Sequence, residues 1–335
     1  MSSIDVAIPC YQYGRFLREC VSSVQSQGVD NLRILIIDNA STDDSADVAQ
    51  ALAEEDRRIE VIVHPKNLGQ HASYNEAIDW ANADYFLLLD ADDLLMPGCL
   101  SRAIGIMERQ PSITITHGRI TNLTPTGLEA IIAEPVEPSW EIIPGATFIR
   151  QACEFPADMA CAPTVVRRTA AQKRAGYYRK ELPYTDDVEL WLRIALQGDV
   201  ARTDATQAVR RIHAQQATTS FRDNPINDLT EHEAAFVSFF SHEGQQLKDR
   251  DELLKLVRRS IEDHAYWSGL SHIVRGYRRE GLDLLRFANR SAPFGLRHPP
   301  LRFLRTHRRA VSRAREILAQ FSFTRQERPG LHERS

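Results

Sequence analysis

Three carboxylates stand together in Asp90-Ala91-Asp92-Asp93, immediately after the apolar run Tyr85-Phe86-Leu87-Leu88-Leu89. A buried strand that ends in clustered acids sets negative charge at the carboxyl edge of a sheet, where open α/β folds bind their ligands. Closely spaced carboxylates repel one another unless a proton or a cation intervenes. Their hard oxygens suit Mg2+ or Mn2+ bridging to the phosphates of a substrate. Two further segments fit the same chemistry. Ile8-Pro9-Cys10-Tyr11-Gln12-Tyr13-Gly14 offers backbone groups and an aromatic face to a nucleobase, and Ile37-Asp38-Asn39-Ala40-Ser41-Thr42-Asp43 brings Asp38, which can accept from a base N–H.

Hydrophobic periodicity supplies the elements that must position these residues. Strands are expected from Val6 to Ile8, Leu32 to Ile37, Ile59 to Val63 and Tyr85 to Leu89. Helices are expected from Phe16 to Gln25, Ser45 to Glu54, Ala72 to Ala81 and Leu100 to Arg109. Such alternation implies an α/β fold with a mostly parallel central sheet and helices on both faces. Ser45 is expected as a helix N-cap near Asp43 and Asp44, Pro97 in the first turn of a helix, and Asp93 as a capping acid before it. Beyond Ile113 the pattern turns to shorter, less regular pieces, with Pro125, Gly127, Pro135, Pro138, Pro144 and Gly145 marking turns or a long acceptor-facing loop. A strand from Thr164 to Arg167, a helix from Val188 to Leu196 and an extended stretch from Val200 to Ile212 then lead to His213. After Pro225 the chain reads as helical. Trp140, Trp191 and Trp267 are expected as packing residues, and Trp140 alternatively as a stacking platform for a sugar.

With 335 residues and 43% hydrophobic content, the chain can fill one large domain and a smaller appendage. A formal charge of -4 gives no electrostatic ground for a nucleic-acid partner. Five cysteines, without a C-x-x-C pair, do not make a disulfide framework and suit a reducing compartment. There is no signal-peptide core and no apolar run near the ~20 residues that cross a bilayer, so a soluble, cytoplasmic protein is expected. Between Arg297 and Ser335 ten arginines face three glutamates, with Leu301, Phe303, Leu304 and Val311 interleaved. A solvated helix is the first expectation there, and peripheral contact with an anionic membrane through 297–335 the second. Residues 265–293 resemble a single tetratricopeptide-type hairpin, or form an ordinary helical hairpin packed on the domain before them. The helical tail is also the expected route to a homo-oligomer.

Taken in order, the motifs resemble those of family 2 glycosyltransferases of the GT-A fold. The resemblance rests on Ile8-Pro9 with Tyr11, the segment Asp38 to Asp43, Asn67-Leu68-Gly69 with Ser73-Tyr74-Asn75, and the D-x-D of Asp90 and Asp92. It continues through Tyr184-Thr185-Asp186-Asp187-Val188-Glu189 to Arg211-Ile212-His213, covering residues 4 to about 220. The resemblance implies a donor nucleotide held by Pro9, Tyr11, Asp38, Asn67 and Asp90, with Asp90 facing the ribose or the metal, a divalent Mn2+ or Mg2+ held by Asp92 and His213, with His213 touching the metal or the diphosphate, and Asp187 as the catalytic base. Asp187 is preferred to Asp186 by motif register. Four departures stand out: Tyr74 where many members carry arginine, Ala77 where many carry glycine, and Asn39-Ala40 in place of Asp-Gly.

The expected function is therefore metal-dependent, inverting transfer of a sugar from a UDP-, dTDP- or GDP-linked donor to a hydroxyl of a glycan or lipid-linked acceptor, in cell-surface polysaccharide or glycoconjugate synthesis. Residues 1–222 would form the transferase domain, with a nucleotide-sugar half to about 112 and an acceptor half from 113. Residues 223–335 would form the helical extension. A catalytically inactive binding or scaffold protein of the same fold is the alternative. A sugar-phosphate nucleotidyltransferase is further off, because 9–14 holds one glycine where that class has a glycine-rich loop, and a dinucleotide-dependent dehydrogenase lacks its G-x-G-x-x-G.

Overall fold

The structure is a computed structural model and describes residues 2–128, 138–156, 159–213, 215–216, 224–291 and 299–300. Four strands, β1 (Ser3–Cys10), β2 (Asn31–Asp38), β3 (Ile59–Val63) and β4 (Tyr85–Leu88), form a parallel half-sheet in the order β3-β2-β1-β4. Their runs are apolar at consecutive positions because both faces are covered. Successive side chains point to opposite faces. Thus Val6, Ile8, Ile34, Ile36 and Leu87 join one core with α1 (Gly14–Gln25), α2 (Ser45–Glu55) and α4 (Cys99–Arg109). Their neighbours Ala7, Leu35, Ile37, Phe86 and Leu88 join a second core with α3 (Gln70–Trp80).

The sheet continues as β4-β9-β6-β10-β5, with β9 (Val166–Arg168) antiparallel to both neighbours and β6 (Ile113–Thr124) parallel to β10 (Asp199–Arg211). The two-residue β5 (Leu94–Leu95) closes that edge against β10, and β7 (Gly127–Leu128) and β8 (Trp140–Ile143) pair with β6 and β10. Instead of the short irregular pieces expected beyond Ile113, β6 runs for 12 residues. Its alternating Ile113-Thr114-Ile115-Thr116 start is β-branched throughout, which suits a pleated, buried surface.

Pro144 and Gly145, expected as turn markers, instead start α5 (Gly145–Glu154). A Cβ at Gly145 would fall 1.9 Å from the Ala195 carbonyl, so only glycine lets α5 lie against the end of α7 (Asp186–Ala195). Two cap assignments also change. Ser45 is the first residue of α2 and its N–H and hydroxyl donate to Asp43 Oδ1, so Asp43 is the acceptor at that helix start. Pro97 precedes α4, which begins at Cys99 after Gly98 turns the chain with φ 73°.

The helical extension comprises α8 (Pro225–Ser241), α9 (Arg250–Val274) and α10 (Arg278–Ala288), after the short α6 (Thr169–Ala175). Phe236, Phe239, Val257, Ile261 and Leu284 are buried in the same core as Trp191 of α7 and Phe148 of α5. The extension therefore completes the second core. Helices α9 and α10 form one hairpin, closely packed where Gly269 meets Gly281. The basic tail, and with it the expected membrane contact, lies outside the described residues apart from 299–300. Among the described residues no helix is long and apolar enough to cross a membrane. All five cysteines are free thiols.

Candidate functional site

A cavity of about 2040 Å³ opens at the carboxyl ends of β1 and β4. Its walls include Pro9, Tyr11, Asn67, Asp90, Asp92 and Asp187, six of the eight residues singled out from the sequence. Asp38 and His213 do not line it, although His213 Nε2 lies 3.0 Å from the lining residue Asp92.

Two loops shape the nucleotide-facing side. Ala40 and Gln12 both adopt left-handed backbone, with φ 59° and 63°. Such a conformation costs a non-glycine residue about 1–2 kcal/mol, and it gathers at binding sites. Here it is held by cross-bonds, from the Gln12 N–H to Ser41 Oγ (2.9 Å) and from Gln12 Nε2 to Thr42 Oγ1 (2.8 Å). Asp38 is buried, and its Oδ2 accepts the Ser41 N–H at 3.0 Å. Its Oδ1 is buried without a hydrogen-bond partner among the described residues. Asn39 ties this loop to the next one: Oδ1 accepts the Leu68 N–H and meets His64 Nδ1, while Nδ2 donates to Asn67 Oδ1. Asn67 also takes the Gly69 N–H at 2.8 Å, so its side chain shapes the loop.

The acid turn is bound to the far end of β10. Asp93 donates its N–H to the Asp90 carbonyl, and its Oδ1 accepts the Arg211 N–H at 3.0 Å. Asp93 therefore fastens β10 and caps no helix, since β5 follows it directly. Arg211 Nε donates to the Asp92 carbonyl, and His213 Nε2 lies 3.0 Å from Asp92 Oδ2. Burial, together with the charges of Asp92 and Asp186, pushes Asp90 up to about 7. Burial and the neighbouring Asp92 and Asp90 also raise Asp93.

Asp92 and His213 present an oxygen and a nitrogen side by side, a donor pair that fits a divalent cation. Among the described residues no three such groups converge, so an ion here would draw its remaining oxygens from a bound ligand.

Across the cavity, α7 begins with Asp186 and Asp187, acids that its N-terminal dipole favours. Asp187 lines the cavity, and burial followed by the charge of Asp186 holds it well above the ordinary carboxylate range. Helix α8 secures this end: Thr185 Oγ1 donates to the Glu231 carbonyl at 2.9 Å, and Tyr184 meets His232 edge-on at 6.0 Å. Asp228 and His232 of α8 reach the cavity wall. Sequence reasoning missed them, and it missed His71, whose Nε2 lies 3.0 Å from Asp186 Oδ2. No local pattern links residues so far apart. Tyr74 packs against Tyr178 with ring centroids 5.2 Å apart.

Among known proteins, the family model described as Glycosyl transferase family 2 matches residues 5–174. An uncharacterized glycosyltransferase of Haemophilus influenzae is 22% identical over 221 residues, 65% of this chain and 68% of that protein. The solved structure of S. aureus TarS 1-349 in complex with UDP-GlcNAc is similar with a TM-score of 0.62 and 17% identity, over 87% of this chain and 82% of that one. Mannosyltransferase PcManGT from Pyrobaculum calidifontis, in complex with GDP-Man and Mn2+, is similar with a TM-score of 0.53 and 14% identity, over 95% and 87% of the two chains. At these identities the structural likeness is one of fold.

Proposed function

The chain belongs to glycosyl transferase family 2, and from that premise we propose that it moves a sugar from a nucleoside-diphosphate donor to an acceptor hydroxyl with inversion at the anomeric carbon. One observation carries this reading: two groups of acids, Asp90 with Asp92 and Asp186 with Asp187, face one cavity from separate elements. The first group suits the diphosphate end of a donor once a divalent cation lies between them, and the second suits an acceptor.

Asp187 is the proposed base. It takes the acceptor proton as the acceptor oxygen bonds to the anomeric carbon, while the bond from that carbon to the diphosphate breaks and its electrons leave with the nucleotide. The tendency of Asp187 to hold a proton fits a group that must accept one. Tyr11, half exposed above β1, offers its ring to the base, with Pro9 beside it. The unpartnered Oδ1 of Asp38 supports a contact with a base N–H after a small loop movement. Asn67 shapes the loop below, and Asp90, which lines the cavity, would face the ribose or the metal. Asp92 and His213 would hold Mn2+ or Mg2+, which when bound offsets the charge on the departing diphosphate.

UDP-, dTDP- and GDP-linked sugars are the proposed donors, and a glycan or lipid-linked acceptor in cell-surface polysaccharide synthesis the proposed recipient. Residues 1–222 carry the transfer chemistry in this reading. Helix α8 braces it, because it holds the start of α7. Calorimetric titration of UDP, dTDP and GDP sugars with Mn2+ present tests the proposal. Saturable binding of one nucleotide class that weakens in Asp92→Asn is expected, and no binding of any class refutes it.

A further inference from the structure

His71 enters the first turn of α3 directly after Gly69, whose φ of 83° turns the chain into the helix. That turn is fastened to the segment before α7 by Gln70 Nε2, which donates to the Pro183 carbonyl at 3.0 Å. One turn later Asn75 exchanges hydrogen bonds with the backbone of Tyr178, donating at 3.2 Å and accepting at 2.8 Å. The imidazole is consequently held against the amino end of α7. Its Nε2 and Asp186 Oδ2 are 3.0 Å apart, close enough to pair as charges, and off the line of a good hydrogen bond. Both atoms are buried, with no hydrogen-bond partner among the described residues.

The two acids are thereby made unequal. Asp186 Oδ1 accepts the Asp187 N–H at 3.0 Å, and its Oδ2 is set against His71 as an ion pair. Asp187 uses Oδ1 on the Val188 N–H and lines the cavity. We propose that His71 is a positioning residue that pins Asp186 and offsets its charge, leaving Asp187 to take the acceptor proton. This rests on the glycosyl-transfer reading and assigns the base between two adjacent acids.

The charges of His71, Asp186 and Asp187 are linked. Asp186 holds the imidazole protonated above its ordinary value, assisted by the Leu182 backbone and the charge of Glu181. After burial, Asp186 is the largest influence raising Asp187, with Asp90 contributing less. A cationic His71 therefore moderates the field that Asp187 feels from its neighbour. Tyr74 stands edge-on to His71 at 6.2 Å, and Lys180 lines the same cavity.

The test compares His71→Gln, Asp186→Asn and the double variant with the wild type. Release of nucleoside diphosphate is followed across pH with whichever of UDP-GlcNAc and GDP-mannose binds, and UDP or GDP affinity and thermal unfolding are measured alongside. Losing the imidazolium should move the acid limb of kcat up by about one pH unit, a tenfold loss below the limb, with KM and nucleotide affinity within about twofold. In the Asp186→Asn background the same change should move nothing. Histidine 13C titration should place His71 above 6.5 in the wild type and lower in Asp186→Asn. A uniform fall in kcat with an unmoved limb, or Asp186→Asn losing as much turnover as Asp187→Asn, overturns the proposal. An ordinary His71 titration with donor turnover intact overturns it alone. Absence of donor binding and turnover in the wild type overturns the glycosyl-transfer reading and the base role with it.

Discussion

Replacing Asp187 with asparagine should cripple turnover while stabilising the protein near neutral pH. The substitution keeps the shape of the side chain and removes its charge and basicity. Loss of a general base slows such reactions by ~10²–10⁴-fold, a barrier increase of roughly 3–5 kcal/mol. Stability moves the other way because the carboxylate is buried, with Asp186 beside it and Asp90 across the cavity, and holds its proton to a higher pH than an unfolded chain would. Between the ordinary carboxylate range, near 4, and that raised value, the native state binds more protons than the unfolded one. By linkage, stability then falls as pH rises through this window, and the cost is fully present above it. Asparagine has no such slope. The variant should melt at the same temperature as the wild type at low pH and at a higher one near neutrality. Donor affinity should be kept or improved, since one negative charge has left a cavity that must admit a diphosphate. Nucleoside diphosphate release, calorimetry and melting curves from pH 4 to 8 measure all three. Turnover within tenfold of the wild type, or a lower melting temperature at neutral pH, would refute this reasoning.

Two further outcomes concern how the site is supported. Phe236→Ala empties a fully buried position in the core that α8 shares with α7, and should cost ~3–5 kcal/mol. Because that core is continuous, urea should unfold the helical extension and the nucleotide-binding side in one transition. An early transition that leaves nucleotide binding intact would count against a shared core. Glu189→Gln should cost ~3–5 kcal/mol by leaving Arg193, itself buried and 2.7 Å from that carboxylate, without its charge partner. Loss of the exposed Arg18–Glu55 pair by Arg18→Ala should leave the melting temperature unmoved, which makes it the control for differential scanning calorimetry.

What could be read from the sequence depended on the range of the interaction. The parallel half of the sheet was legible because a strand covered on both faces must be apolar at every position, as Ile34-Leu35-Ile36-Ile37 is. The acids at 90–92 were legible because they end such a strand. By contrast, Asp93 looks like a helix cap locally and is in fact held by Arg211, 118 residues away. His71 and Asp186 have no local pattern at all, and meet only when α3 is laid beside α7.

The least legible feature, the direction and shortness of β9, is also what makes room for the site. β9 pairs with β4 only at Tyr85 and Phe86 and runs antiparallel to it, so it covers the amino half of β4. The carboxyl half, Leu87 and Leu88, is left to the turn at 162–164, and residues 159–163 become cavity wall instead of sheet. A full-length parallel strand in that place would have extended the sheet past the acid turn and filled the space between Asp90 and Asp187. The antiparallel strand therefore does for geometry what the acids do for charge: it opens a gap at the carboxyl edge wide enough for two reactants.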